Sequence, residues 1–297
     1  MAKSKSGGTR SYIRGKIGAD VYSIGKDGKG AKQQVVRSLA EVVSNPQTEA
    51  QMRGRMIMST VMQAVSAMSP IIDHSFDNVP NGQPAISEFI SRNYALIKAD
   101  VAAHPSSSNT FGLNKYQEKG VRAGQYVISS GKAPLIAFVE NQGQLQIQVV
   151  ASESSATATV QDLLTALGIT KSDYFTLMQI GEDLNGNRVA VYVRFKVKES
   201  VALDGVIATI GIANIFEIES NAAFSTTANL FFEQGKLTIM PTVELLAFGF
   251  ITSVKVESGW EHSDTTMVNT VNPSWPADTA LPTYPTGASR FLNGGDI

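Results

Sequence analysis

The sequence predicts an α+β protein. An N-terminal basic β-hairpin arm and an αα-hairpin come first, then a mainly antiparallel β-sandwich or barrel region, then an extended C-terminal tail. Three observations predict this. Two stretches of alternating apolar and polar residues flank a glycine-rich turn at 25–30. Two stretches with apolar residues at helical spacing follow, between 45 and 104. Beyond about 126, short β-rich segments alternate with turn residues at strand-like spacing. The division that follows is 1–44 (basic arm and hairpin), 45–104 (two helices), 105–271 (mainly β body) and 272–297 (proline-rich tail).

Residues 1–9 are rich in Gly, Ser and Lys, which suits a flexible or extended start. Alternation begins at Ile17, with Ile17, Ala19 and Val21 on one side of a strand, and resumes over 33–39; Asp27-Gly28 sits at the turn between them. A hairpin of this size is marginal in water and needs something to pack on. Asn45-Pro46 reads as a helix start, Asn as N-cap and Pro at the first helical position, with Glu49 in the first turn. The helix is expected over 46–68. Met52, Met56, Val61, Val65 and Met68 form its stripe, widened by Ile57 and Ala64. A methionine stripe is adaptable core or an adaptable interface, not a cofactor box. The second helix is expected over 85–103, with Ile86, Phe89, Ile90, Tyr94 and Ile97 as its apolar face.

Strands are expected at 126–129, 135–139, 145–151, 174–180, 189–197, 206–210, 215–218, 229–232, 236–240, 245–256 and 265–271. Asn185-Gly186 and Gln234-Gly235 are expected to make hairpin turns. One short helix is expected over 160–167, closed by Gly168. The last segment carries Pro273, Pro276, Pro282 and Pro285 and reads as extended.

Charge is uneven. The net charge is −1, yet residues 1–38 hold nine Lys or Arg against Asp20 and Asp27, a surplus of +7 that leaves −8 for the rest. A basic arm on an acidic body can bind a phosphate backbone or lie on the acidic surface of a neighbouring copy. A solvated tail is the third reading. Charged residues make up 17% of the chain, below the roughly 25% usual in soluble globular proteins, which suits a chain that buries surface against partners. The longest apolar runs, 206–216 and 245–251, fall short of the roughly 20 residues that span a bilayer. With no apolar h-region at its start, the chain is expected to be soluble, made in the cytoplasm and without a membrane partner.

The inventory of reactive residues points away from catalysis. There is no cysteine, hence no disulfide framework, thiolate zinc site or cysteine nucleophile. The glycine-rich loop ends Gly30-Ala31-Lys32-Gln33, not the Gly-Lys-Ser/Thr of a phosphate loop. Asp183-Leu184-Asn185-Gly186-Asn187 lacks the spacing of a calcium loop. Asp73-His74-Ser75 and Glu261-His262-Ser263-Asp264 hold triad residue types at adjacent positions, whereas triad members come from separated elements. The expectation is no enzyme, no cofactor and no metal.

One compound pattern is specific. It runs Gly15-Lys16-Ile17-Gly18, then Val35-Val36-Arg37, then Asn45-Pro46-Gln47-Thr48-Glu49-Ala50-Gln51 with Arg55 four residues on. It resembles the N-terminal signature of a domain-of-unknown-function family of Bacteroidetes and their phages. Near the end, Gly259-Trp260, Thr283-Tyr284-Pro285-Thr286-Gly287 and Phe291-Leu292-Asn293-Gly294-Gly295 are also similar to phage proteins of that group, crass-like phages above all. The chain departs from the pattern at Glu261-His262, where members carry an arginine after the tryptophan. The resemblance implies a virion structural protein, assembled in the host cytoplasm, with copies of itself and other virion proteins as partners. Arg14, Lys16, Arg37, Asn45, Pro46, Thr48, Gln51 and Arg55 are the expected assembly residues, Arg55 being suited to a bidentate bond. The alternatives are a sequence-independent nucleic-acid-binding protein using residues 1–38 and a carboxylate-based hydrolase.

Overall fold

A computed structural model describes residues 3–5, 12–17, 20–26, 32–38, 49–77, 79–103, 120–183 and 186–270. Contacts divide the chain into two units, one of Met1–Thr48 with Pro282–Ile297 and one of Glu49–Leu281.

The first unit holds a four-stranded antiparallel sheet of β1 (Lys3–Lys5), β2 (Tyr12–Ile17), β3 (Asp20–Lys26) and β4 (Lys32–Ser38), in that spatial order. The expected hairpin is β3–β4, paired from Asp20–Ser38 to Lys26–Lys32; its turn, Asp27-Gly28, lies outside the described residues. One expectation is corrected. The alternation from Ile17 to Val21 is not one strand, because Ile17 pairs with Asp20 across a reversal. Of the start, expected to be flexible or extended, Lys3–Lys5 is extended and paired with β2. None of the described side chains in β3 and β4 is buried, and Val36 is 51% exposed.

The second unit is layered. Helices α1 (Glu49–Ile72) and α2 (Gln83–Ala103) form the αα-hairpin. The expected start of α1 at Asn45-Pro46 lies outside the described residues. The helix continues beyond Met68 to Ile72, with Pro70 inside its last turn. Met56, Val61, Val65 and Met68 are buried as the stripe requires, with Ile57 and Ala64 beside them, whereas Met58 and Met62 face outward. On α2, Ala85, Phe89, Asn93 and Ile97 are buried at four-residue intervals.

Both helices pack on one face of a six-stranded antiparallel sheet. Its members are β8 (Tyr174–Glu182), β9 (Arg188–Val197), β10 (Phe216–Ser220), β13 (Glu244–Val256), β14 (Gly259–His262) and β16 (Val268–Asn269). The order is β10-β9-β8-β13, with β14 and β16 both on the free edge of β13. The other face shares its core with a four-stranded sheet of β11 (Leu230–Glu233), β12 (Lys236–Ile239), β7 (Gln144–Gln148) and β6 (Val139–Asn141). This covering on both faces explains why β8 reads as a near-continuous apolar run: seven consecutive residues, Phe175 to Gly181, are buried. Phe175, Leu177, Phe195 and Phe250 face the second sheet; Met178, Ile180, Ala247 and Ile251 face the helices.

Local chemistry sets the connections. The short helix α3 (Val160–Leu167) begins with a reciprocal cap: Thr159 Oγ1 accepts from the Asp162 N–H, and the Asp162 carboxylate accepts from the Thr159 N–H. It ends at Gly168, φ 67°, as expected. These bonds to Thr159, main-chain first, hold the Asp162 carboxyl below its usual range. Gln234-Gly235, both at positive φ, joins β11 to β12 as expected, and Gln142-Gly143 makes the same turn between β6 and β7.

Three strand expectations are corrected. Residues 206–210 are not a strand: Ile207–Ile210 and Ile212–Ile215 are single helical turns separated by Gly211 at φ 82°. A short apolar run carries no periodicity that tells a strand from a buried helical turn. Of 135–139, only Val139 is in a strand, and Leu135 and Val139 are the most exposed large apolar residues described, so neither is drawn into a ladder by burial. The run from Thr265 splits into β15 (Thr265–Thr266), which pairs with β5 (Val127–Ser129), and β16, which pairs with β13. Between them Met267 is buried and its N–H donates to the Tyr126 carbonyl.

Candidate functional site

The expected assembly residues fall in different places. Lys16 on β2 and Arg37 on β4 share one register row, on either side of Val21 on β3. Arg14 pairs with Lys3 on β1. Asn45, Pro46 and Thr48 lie outside the described residues. Gln51 and Arg55 stand four apart on α1, Arg55 exposed.

A buried polar knot ties the helix pair to the sheet. Asn93 on α2 exchanges two hydrogen bonds with Val127: its Nδ2 donates to the Val127 carbonyl at 3.0 Å and its Oδ1 accepts from the Val127 N–H at 2.8 Å. The side chain thereby acts as one more rung beside β5. In the loop between the helices, Asp77 accepts the main-chain N–H of His262 on both oxygens at 3.1 Å. The His262 Nδ1 lies 2.9 Å from the Ser253 Oγ. Ser263 continues the knot: its carbonyl accepts from Ser129 Oγ at 2.6 Å, and its hydroxyl accepts the Thr252 N–H at 3.0 Å.

These residues supply the types of a hydrolytic triad from separated elements, yet their geometry serves another purpose. Asp77 holds the histidine main chain, not its ring, and Ser253 is 1% exposed, so no substrate carbonyl reaches its hydroxyl. Burial, the largest influence, pushes His262 below its ordinary value; the charges of His74 and Arg194 act the same way, while Asp77 and a hydrogen bond with the His74 main chain oppose them. The neutral ring is a structural pin.

The open feature lies beyond the helices on the same sheet face. There a groove of about 570 Å³ crosses β10, β9, β8, β13 and β14. Register aligns Glu217, Lys196, Tyr174, Ser253 and His262 in one row and Glu219, Arg194 and Thr176 in the next. Lys255 and Trp260 face each other at the far end. The Trp260 and Tyr174 rings meet at 4.8 Å between centroids, tilted by 58°. Arg194 also lies over the Tyr174 ring, its Cζ 4.8 Å from the centroid, and its Nη1 pairs with Glu219 at 2.7 Å. Lys196 reaches Glu199 at 3.9 Å. Below, the buried Asp173 accepts the Lys255 N–H at 2.7 Å and the Thr170 N–H and hydroxyl at 2.7 Å, fixing the end of β13 beneath the groove.

Sequence reasoning singled out none of Tyr174, Arg194, Glu217 or Trp260 as a site residue. One signal was present. Arg194 and Lys196 alternate on one strand, and Glu217 and Glu219 alternate with the same period on another, the pattern of charges that pair across a ladder. Among the described residues no group of three or more His, Asp or Glu is placed to hold a metal ion, and no helix is long and apolar enough to cross a membrane. No protein family, curated protein or solved structure matches the chain.

Proposed function

We propose that the protein is a structural component of a phage virion, as an auxiliary capsid, head–tail, ring or packaged protein, and that it works through contacts with copies of itself and with other virion proteins. The observation that carries this reading is in the sheet of the first unit, where none of the described side chains of β3 and β4 is buried. Strands gain little stability without an apolar face to bury, so such a sheet depends on a cover. The +7 charge of residues 1–38 against −8 elsewhere makes the body of a neighbouring copy a complementary surface. The sequence resemblance supports the same class. The proposal assigns no catalytic residue, cofactor or metal.

Light scattering on the full chain and on a variant lacking residues 2–38 tests the arm. The full chain is expected to self-associate at neutral pH and the truncated one to stay monomeric and folded; equal assembly of both rejects the role of the arm. Peptide mass spectrometry of purified virions tests the wider reading, which requires the chain at a fixed copy number per particle. A second reading, sequence-independent nucleic-acid binding, is favoured by one observation, the alignment of Lys16 and Arg37 in a single row. It requires affinity for duplex DNA that falls steeply with salt.

A further inference from the structure

We propose that the groove lined by Tyr174 and Trp260 is a binding site for a neutral sugar chain. The inference is independent of the assembly reading.

Three properties of the groove define its ligand. The first is an aromatic platform. Trp260 is 42% exposed at the groove and leans on Tyr174 at 4.8 Å. Pyranose rings present an apolar face of axial C–H bonds, which an indole covers by dispersion and by attraction to the negative face of its π system. The second is balance of charge. Arg194, Lys196 and Lys255 contribute three positive charges, and Glu199, Glu217 and Glu219 three negative ones. A groove with no net charge offers no field to a polyphosphate or a polyanion. It offers donors and acceptors side by side, and sugar hydroxyls both donate and accept, so that neighbouring hydroxyls on one ring satisfy a carboxylate or a guanidinium in pairs.

The third property is rigidity. All the polar groups except Ser172 and Glu199 stand on strands, Arg194 is clamped between Tyr174 and Glu219, and the main chain of Lys255 is fixed by buried Asp173. Arg194 and the strand backbone are thereby placed before binding, which lowers the ordering cost of a ligand. The volume, about 570 Å³, lies within the range of small-ligand sites, and the groove is open across the strands, so a longer chain can run through it.

Affinity electrophoresis of the full-length protein in native gels tests the proposal. The gels contain laminarin, mannan, dextran or xylan as neutral polymers, with heparin as the anionic comparison. At least one neutral polymer is expected to retard the wild type. Trp260→Ala is expected to weaken that retardation at least tenfold, and Glu217→Gln, a change on an exposed side chain, to weaken it severalfold, both with unchanged circular dichroism. Trp260→Phe is expected to keep part of it, because a smaller ring keeps part of the platform. The proposal is overturned if no neutral polymer retards the wild type, if only heparin does so, or if Trp260→Ala binds as the wild type does. It is equally overturned if Trp260→Ala and Glu217→Gln both leave the retardation intact while dissociating an oligomer, which makes the groove a contact between protein copies.

Discussion

His262 Nδ1 and Ser253 Oγ face each other at 2.9 Å across the β13–β14 pair, and the ring nitrogen is buried with the hydroxyl. The pair closes a knot that begins at Asp77 between the two helices. One edge of the sheet is therefore fastened to the helical layer by hydrogen bonds and not by apolar packing alone. The aromatic groove lies directly beside this fastening, because Ser253 and His262 share a register row with Tyr174.

Stability is expected to fall in mild acid through His262. Its folded pKa is depressed, chiefly by burial, below the 6.5 of an ordinary histidine. The unfolded chain therefore takes up the proton first as pH falls. The contribution is complete above about pH 6.5 and is lost as pH drops toward the folded value. Urea midpoints measured at about pH 7.5 and about pH 5.5 are expected to fall in the wild type and to fall less in His262→Gln. An equal fall in both assigns the acid sensitivity to other groups.

Gly131 occupies a place that no larger residue fits. A Cβ there would stand 1.9 Å from Asp77 Oδ2, which accepts the His262 N–H and ties the helix loop to β14, and 2.2 Å from the His262 carbonyl oxygen, which accepts the Ala133 N–H. Gly131→Ala must displace both. A cost of about 1–3 kcal/mol is expected from overpacking. Chemical denaturation checks it, and a change under about 0.5 kcal/mol, the range of an indifferent surface substitution, shows that the knot yields freely.

Local signals in the sequence carried much of the fold and little of the candidate site. Gly168 announced the end of α3, and Gln234-Gly235 announced a hairpin, because caps and tight turns are chemistry between near neighbours. Strand β14 gave no such notice. It follows a two-residue turn of Glu257-Ser258 that lacks an Asn-Gly or Asp-Gly signature, and its tryptophan and histidine do not alternate with apolar residues. The groove depends on strand order. Glu217, Arg194, Tyr174 and Trp260 meet only because β10, β9, β8, β13 and β14 lie side by side, an order that pairing fixes in space and that no local pattern encodes. The Asp77–His262 bond, 185 residues apart, is illegible for the same reason.

The methionines of α1 are expected to divide into two classes. Met56 is 1% exposed in the core between the helices and the sheet, whereas Met62 is 43% exposed. Met56→Ala leaves a cavity and should cost about 2–5 kcal/mol. Met62→Ala should change stability by no more than about 0.5 kcal/mol in the isolated chain. Denaturation of the two variants side by side checks the division. Equal effects would mean that the stripe does not pack as the two exposures require.

Gln179 offers the sharpest test of the core between the two sheets. It is fully buried on β8, paired in register with Val191 and Phe248, both members of the apolar cluster that the sheets share. Neither its Oε1 nor its Nε2 has a hydrogen-bond partner among the described residues. An amide taken out of water without partners costs about 1–3 kcal/mol, and removing the polar atoms recovers that cost when the shape is kept. Methionine has nearly the same volume and length, and its flexible thioether adapts to aromatic neighbours. Gln179→Met is therefore expected to raise the unfolding free energy by about 1–3 kcal/mol, against the usual trend of core substitutions. The urea midpoint should move upward with an unchanged slope, since the surface exposed on unfolding is the same. A destabilised variant would show that the amide is satisfied in solution and that this point of the core is polar by design of the fold, not by default.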